Sequence, residues 1–226
     1  MVVRRILLGT LALVAVAASG CSNDKPADQG SLPDGATLLK DAAAATKDIK
    51  TAHFTLTANG EIPSIPVHSA EGDLSREGAA KGTINMTLLG NLFEGEFVLV
   101  NGTIYIKGAT GGYQQLPAAL ISNLYDPAAI LNADRGIAKV LVSVQNPRTE
   151  AKETVDGTSA YKVSGRVAKD VVSGLVPGVD SDVDITFWLR EDSKQPVKAS
   201  VKLPNSATVD VTLSNVDKPV SITPPV

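Results

Sequence analysis

The sequence predicts an α+β fold: a large antiparallel sheet wrapped around helices held on its concave side. Three observations predict it. About nine segments alternate apolar with polar residues, the period of strands with one wet and one apolar face, and one-sided sheets are antiparallel. Roughly four other segments place apolar residues at helical spacing. Asn101-Gly102 and Asp156-Gly157 each fall between alternating runs, where two residues tolerant of positive φ close a hairpin. So wide a sheet twists and curls, and the helices are the only cover for its apolar face.

The chain opens on a segment that is not part of that fold. Arg4 and Arg5 precede the uncharged run Ile6–Gly20, which is 15 residues long and short of the ~20 that span a bilayer. A charged start, an apolar stretch and the small residues Ala18-Ser19-Gly20 make a secretory signal peptide over residues 1–20. Gly20-Cys21 is the pattern of a bacterial lipobox, in which the cysteine is lipidated and becomes the new N-terminus. Ala18 stands where Leu is commoner; the alternative is a secretory peptide in which Cys21 is incidental. Residues 21–35 are polar, with Pro26, Gly30, Pro33 and Gly35, and read as a lipidated start and flexible tether. Residues 36–226 then form one domain, since neither a repeat nor a mid-chain linker interrupts them.

Leu38, Ala42, Ala45 and Ile49 recur at helical spacing over Ala36–Lys50, an alanine-rich stretch that favours helix. The period then switches to two. Phe54, Leu56 and Ala58 alternate with polar residues, as do Ile84, Met86 and Leu88, then Phe97 and Leu99 with Glu94 and Glu96, then Ile104 and Ile106. Gly60–Glu71 is less regular, and Pro63 and Pro66 point to a bent or edge strand. In the middle, Asp126-Pro127 is an N-cap and first helical residue for the turn Ala128–Leu131. Ile137, Val140, Leu141 and Val144 are one face of a further helix, which Asn146-Pro147 ends. Strands return at Thr149–Val155 and Ser159–Gly165. Ala168, Val171, Val172 and Leu175 are helical in spacing up to Pro177-Gly178. Three clean strands follow, at Val183–Arg190, Val197–Leu203 and Thr208–Leu213, and Pro219–Thr223 is placed as a final edge piece.

Composition narrows the function. Removing residues 1–20 takes away Arg4 and Arg5 but no acid, so the net charge moves from −3 to −5 over the remaining 206 residues. An acidic chain offers no basic patch for nucleic acid. With one cysteine there is no disulfide, and stability must come from the core. That core is aliphatic, with only four Phe, four Tyr and one Trp. His53 and His68 stand among polar strand residues without ligands at metal-binding spacing. Asp180, Asp182 and Asp184 lack the glycine and terminal Glu of an EF-hand loop and read as solvated charges. No Gly-x-Ser-x-Gly elbow, Walker A or dinucleotide-binding pattern occurs. No catalytic residue, metal or cofactor is assigned. What remains is the apolar face: either a solid core, or a lining left incompletely filled beside the small residues Ala42 and Ala45, as an acyl-chain site requires.

The chain resembles the mycobacterial and related actinobacterial lipoproteins LppX, LprA, LprF and LprG, most of all LprF and LprG. The resemblance rests on Gly20-Cys21 and its tether, Ala45-Thr46-Lys47 with Thr51-Ala52-His53, Glu71-Gly72-Asp73-Leu74, and Tyr125-Asp126-Pro127 with Ile130-Leu131. It continues through Asp134-Arg135-Gly136-Ile137, Val144-Gln145-Asn146-Pro147, Lys162-Val163-Ser164-Gly165, Phe187-Trp188-Leu189 and Leu213-Ser214-Asn215. Val216 departs from it, standing where the family usually has Trp. The resemblance implies a half-barrel sheet enclosing a hydrophobic cavity. The lining assigned to it is Leu38, Ala42, Ala45, Phe54, Leu56, Ile84, Met86, Leu88, Phe97, Leu99, Ile137, Val140, Leu141 and Val144. It also implies an acylated glycolipid or triacylglyceride-type lipid as ligand, carried outward from the inner membrane, with a membrane exporter as partner. The protein would then be held on the outer face of the cell membrane through Cys21. The rival expectations are a structural or regulatory lipoprotein with a filled core that binds a protein, and an envelope hydrolase.

Overall fold

Strand order follows from two meanders that meet at a central seam. A computed structural model describes residues 31–60, 62, 66–88, 90–117, 127–176, 179–203 and 206–225. The first meander comprises β1 (Thr51–Asn59), β2 (Val67–Ser75), β3 (Ala80–Leu88), β4 (Asn91–Val100), β5 (Thr103–Gly108) and β6 (Gln114–Pro117). The second comprises β7 (Gln145–Val155), β8 (Thr158–Val167), β9 (Val183–Arg190), β10 (Pro196–Lys202) and β11 (Thr208–Ser214). All pairings are antiparallel, and β1 pairs with β11, giving one curved eleven-stranded sheet in the order β6-β5-β4-β3-β2-β1-β11-β10-β9-β8-β7. This is the half-barrel that the alternating runs require.

Register carries the alternation across the seam. One inner row runs Val163, Phe187, Ala199, Val211, Leu56, Ala70, Ile84, Gly95, Gly108 from β8 to β5. The adjacent outer row runs Lys162, Trp188, Lys198, Thr212, Thr55, Glu71, Thr83, Glu96, Lys107. A slip of one residue at any pairing would exchange these rows, so burial of one face sets the register.

Helices cover the inner face. Helix α1 (Gly35–Asp48) is capped by Asp34, whose carboxylate accepts from the Thr37 N–H and hydroxyl, each at 2.8 Å. At its other end the Arg76 guanidinium donates to the Ile49 carbonyl, a cation at a helix C-terminus. The buried side of α1 is Leu38, Leu39, Ala42, Ala43 and Thr46, and it packs on α2 (Ile137–Ser143) and β7. A Cβ on Gly35 would stand 3.1 Å from the Pro147–Arg148 backbone, so a side chain there would push helix and strand apart by a few tenths of an ångström. A 3-10 turn, Pro127–Leu131, packs on β2, and the short α3 (Lys169–Val172) packs on α2.

Several sequence expectations need correction. Ala45 is half-buried, not part of the buried face; Leu39, Ala43 and Thr46 take that side because α1 is pressed between two neighbours, α2 and β7. Strand β6 has no alternating apolar pattern and was not expected. Asn146-Pro147 does not simply end a helix. Helix α2 stops at Ser143, and Asn146 (φ 50) and Pro147 lie inside β7, an edge strand where proline costs no ladder bond. Helix α3 is one turn, shorter than its spacing suggests. Pro219–Thr223 is not a strand; β11 already pairs on both sides, so no edge is free there. It is held instead by the Lys81 ammonium on the Ser221 carbonyl, 2.8 Å. The turn residue Asp126 lies outside the described residues.

Candidate functional site

The inner face divides into a closed and a half-open part. Under α2, α3 and the 3-10 turn lies an almost wholly apolar cavity of about 40 Å³, room for about three water molecules. The sheet supplies its floor with Leu56, Ile185, Phe187, Ala199, Val201, Val209 and Val211. Its roof is Ile130, Ile137, Val140, Val172, Leu175 and Val176. Phe187 and Val172 are fully buried, and nothing polar in the lining would stop a hydrocarbon chain.

Three roof residues, Val172, Leu175 and Val176, come from an unusual connection. β8 and β9 are antiparallel neighbours that a two-residue hairpin would join, yet residues 168–182 intervene. The excursion closes at its base, where Asp182 accepts the Lys169 N–H at 3.1 Å and lies 3.9 Å from Arg166 Nε. Val176 and the partly buried Leu175 therefore reach the cavity from an Ω-like loop.

The half-open part is the inner face of β2–β5. Its floor is made of small residues, Ala70, Gly72, Ala80, Gly82, Gly95 and Gly108. Gly72 and Gly82 face each other, and a Cβ on either would collide with the partner strand's backbone. Glycine at both positions lets the sheet bend sharply here. The Phe93 ring lies over Gly95 and Gly108. Ile84, Phe93, Ile104 and Ile106 border this floor and are only partly buried, though they pack against the main core.

Of the residues assigned to a lining, Leu56, Ile137 and Val140 meet at the enclosed cavity. Ile84, Met86, Phe97 and Leu99 stand on the half-open floor of β3 and β4, and the Leu88 side chain lies outside the described residues. Leu38, Ala42, Phe54 and Leu141 are buried core, Val144 is partly buried, and none of these borders the enclosed cavity. The cavity is thus under α2 and α3, not behind Ile84–Leu88. Sequence alternation marks Ile185, Phe187, Val201 and Val209 as inward-facing, but only strand order shows that they face the same space as Val140. Helical spacing marks Val172 and Leu175 as part of a covering face, but nothing in the sequence marks Val176 as roof.

The outer face is mostly polar, with Val98 and Leu92 of β4 among the exceptions. His53 lies between carboxylates, Nδ1 2.9 Å from Asp73 and Nε2 3.3 Å from Glu71. His68 Nε2 meets the Thr87 hydroxyl at 2.8 Å. Neither belongs to a cluster able to hold a metal among the described residues. A trough of about 540 Å³ crosses β1–β5, lined by polar residues such as Thr55, Glu71, Thr83, Glu96 and Lys107 together with Ala70, Ile84, Gly95 and Gly108. The Tyr113 hydroxyl and Lys107 hydrogen-bond Glu96 and hold its carboxyl below the usual range. On β8–β10, the Trp188 ring takes Lys162 at 5.8 Å and Lys198 at 5.1 Å and donates its N–H to Glu153. Each of those lysines also pairs with a carboxylate, Glu150 and Asp210.

Comparison with known proteins agrees with this geometry over nearly the whole chain. A family model described as LppX_LprAFG lipoprotein matches residues 34–222. The lipoarabinomannan carrier protein LprG of Mycolicibacterium smegmatis is 33% identical over 224 residues, covering 97% of this chain and 94% of the relative. LprG of Mycobacterium leprae is 33% identical over 226 residues, with coverage of 97% and 94%. The crystal structure of LprF from Mycobacterium bovis superposes with a TM-score of 0.77 at 28% identity, covering 84% of this chain and 96% of that one. LppX from Mycobacterium tuberculosis, at TM-score 0.65 and 24% identity, covers 83% of this chain and 97% of its own and shares the fold.

Proposed function

The chain belongs to the LppX_LprAFG lipoprotein family, and from that premise we propose that it is a lipid carrier of the cell envelope, tethered to the membrane through a lipidated Cys21. In this reading residues 1–20 are removed, and the acyl chains of a glycolipid or triacylglyceride-type lipid lie between the sheet and its helices. The headgroup stays in water, and the cargo passes outward from the inner membrane, with a membrane exporter as partner. The observation that carries the proposal is an almost wholly apolar cavity between sheet and helices, in a chain alike over 97% of its length to a carrier-named relative. Hydrocarbon needs no directional contact: each buried CH₂ is worth about 0.8 kcal/mol, so two or three chains suffice for tight binding.

The enclosed space of about 40 Å³ is well under the ~150 Å³ that admits benzene. Loading therefore requires the helical cover to move away from its floor of β1 and β9–β11, or the acyl chain to extend onto the half-open floor of β2–β5. Native mass spectrometry of the non-acylated Cys21→Ser protein, produced in an actinobacterial host, is expected to find co-purifying lipid. Protein that is lipid-free and takes up no fluorescent acyl probe would sink the proposal. Ile84→Trp, which fills the half-open floor, is expected to cut probe uptake several-fold while the fold persists. Unchanged uptake would remove β3 from the site.

A further inference from the structure

We propose that the trough on the outer face of β1–β5 is a binding site for a neutral oligosaccharide. Its volume of about 540 Å³ lies in the range of small-molecule sites. It crosses five neighbouring strands, four interstrand steps and so about 19 Å. That is the length of a short sugar chain and far more than a single ion needs. The sheet itself separates the trough from the inner face, so the inference does not rest on the carrier reading.

Strand register sets two rows of polar side chains along it. Thr55, Glu71, Thr83, Glu96 and Lys107 stand opposite one another in turn from β1 to β5. Ser69, Asn85 and Glu94 form the next row on the same face, two residues along each strand. Hydroxyl, carboxylate, amide and ammonium groups thus follow one another across the trough. A sugar ring offers hydroxyls that both donate and accept, and such a mixed lining can meet both roles. The backbone of Gly95 and Gly108 also lines the trough, beside Ala109, and supplies apolar surface for the C–H faces of the rings.

Charge decides which ligand fits. The carboxylates of Glu71, Glu94 and Glu96 outnumber the single ammonium of Lys107, so an anion is repelled. Yet they are not bare charges awaiting a cation. Glu96 accepts from the Tyr113 hydroxyl at 2.6 Å and from Lys107 at 3.3 Å. Glu94 accepts from the Asn85 amide at 2.7 Å, and Glu71 lies 3.3 Å from His53 Nε2. The Lys107 ammonium also stands 5.7 Å from the centre of the Tyr113 ring, which fixes a positive charge within the trough against any cationic segment. What the lining offers is a set of oriented hydrogen-bonding groups, and a neutral ligand uses them without opposing either sign. Asn85 adds a further sign of a ligand. Its Oδ1 is buried and accepts from no protein donor, where buried acceptors are normally paired, and a sugar hydroxyl is such a donor.

The test is an NMR titration of the isotope-labelled mature Cys21→Ser chain with maltotriose, mannotriose and cellotriose, and separately with hexalysine. At least one trisaccharide is expected to shift the amide resonances of Thr83, Asn85 and Glu96, together with the Asn85 side-chain amide, in a saturable way. A Kd on the order of 1 mM is expected, because each hydrogen bond to sugar replaces one to water. Thr83→Trp, at an exposed position in the middle of the trough, should weaken binding at least tenfold by filling it. Glu94→Gln, which keeps the shape and the bond from Asn85, should weaken it several-fold. Lys202→Trp, on the same face of β10 but outside the trough, should leave it unchanged. Circular dichroism melts confirm that each variant is folded. Trough resonances that no trisaccharide moves at tens of millimolar overturn the proposal, as does sugar binding that survives Thr83→Trp. Shifts produced by hexalysine alone also overturn it and make the trough a contact for a basic protein segment. Because no probe carries an acyl chain, failure here is separate from failure of the carrier reading.

Discussion

Along the inner row that crosses the sheet, β8–β11 contribute Val163, Phe187, Ala199 and Val211, whereas β2–β5 contribute Ala70, Ile84, Gly95 and Gly108. Both halves are antiparallel meanders, and along this row their difference lies in side-chain volume. The second half fills its face with branched and aromatic residues that α2 and α3 close over. Dispersion contacts there are dense, and a missing methylene is felt. In the first half the floor is glycine and alanine with the Phe93 ring over Gly95 and Gly108, and its border of Ile84, Ile104 and Ile106 is only partly buried. The small apolar cavity lies in the filled half, under α2 and α3, and the partly buried border lies in the other.

That contrast can be broken most sharply by truncating each half. Phe187→Ala, at a side chain 1% exposed, is expected to cost about 3–5 kcal/mol, read as a lowered urea midpoint. Ile84→Ala on the open floor should cost less than half as much, because partner atoms already are missing on one side. Equal losses would mean that the first half is as tightly packed as the second. Next in size is Gly82→Ala, whose Cβ meets the Glu71 carbonyl and the Gly72 backbone across the β2–β3 pairing. A loss of about 2–3 kcal/mol is expected, with faster amide exchange in β2 and β3 than in β9 and β10. Uniform exchange would show that the glycine pair is not what bends the sheet.

The outer faces differ as well, with smaller consequences. Glu96 in the first half is held below 4.5 by Tyr113 and Lys107, and Glu191 in the second by Lys152 and Ser159. Because folding lowers these values, their contribution is complete above about pH 4.5 and is lost as pH falls through the lowered ones. Melting temperature should therefore be flat from about pH 7 to 5 and decline below. A decline already present near pH 6 would show that these two carboxylates do not set the acid limit of the fold. Smallest of all, Lys162→Ala beside Trp188 should change stability by no more than about 1 kcal/mol. A larger loss in a thermal melt would make the Lys–Trp–Lys row a structural element.

The residues alone determined which face of each strand is apolar. Alternation in His53–Asn59, Val183–Arg190 and Thr208–Leu213 is a local property, set by a two-residue period that no distant partner changes. They also determined the hairpins at Asn101-Gly102 and Asp156-Gly157, where φ is positive at all four positions, and the body of α1. Tertiary structure decided the rest. The seam of β1 with β11 joins residues more than 150 positions apart, such as Phe54 and Leu213, and nothing local specifies such a pairing. Ala45 gave way to Leu39 and Ala43 because a helix wedged between α2 and β7 buries a wider arc than a single stripe. β6 forms without any alternation, from backbone groups that β5 leaves to be paired. The cavity lies where it does because Val140 and Val176 are carried over Phe187 by connections, not by their own neighbours. Periodicity says that a side chain points inward; only the packed chain says what it meets there.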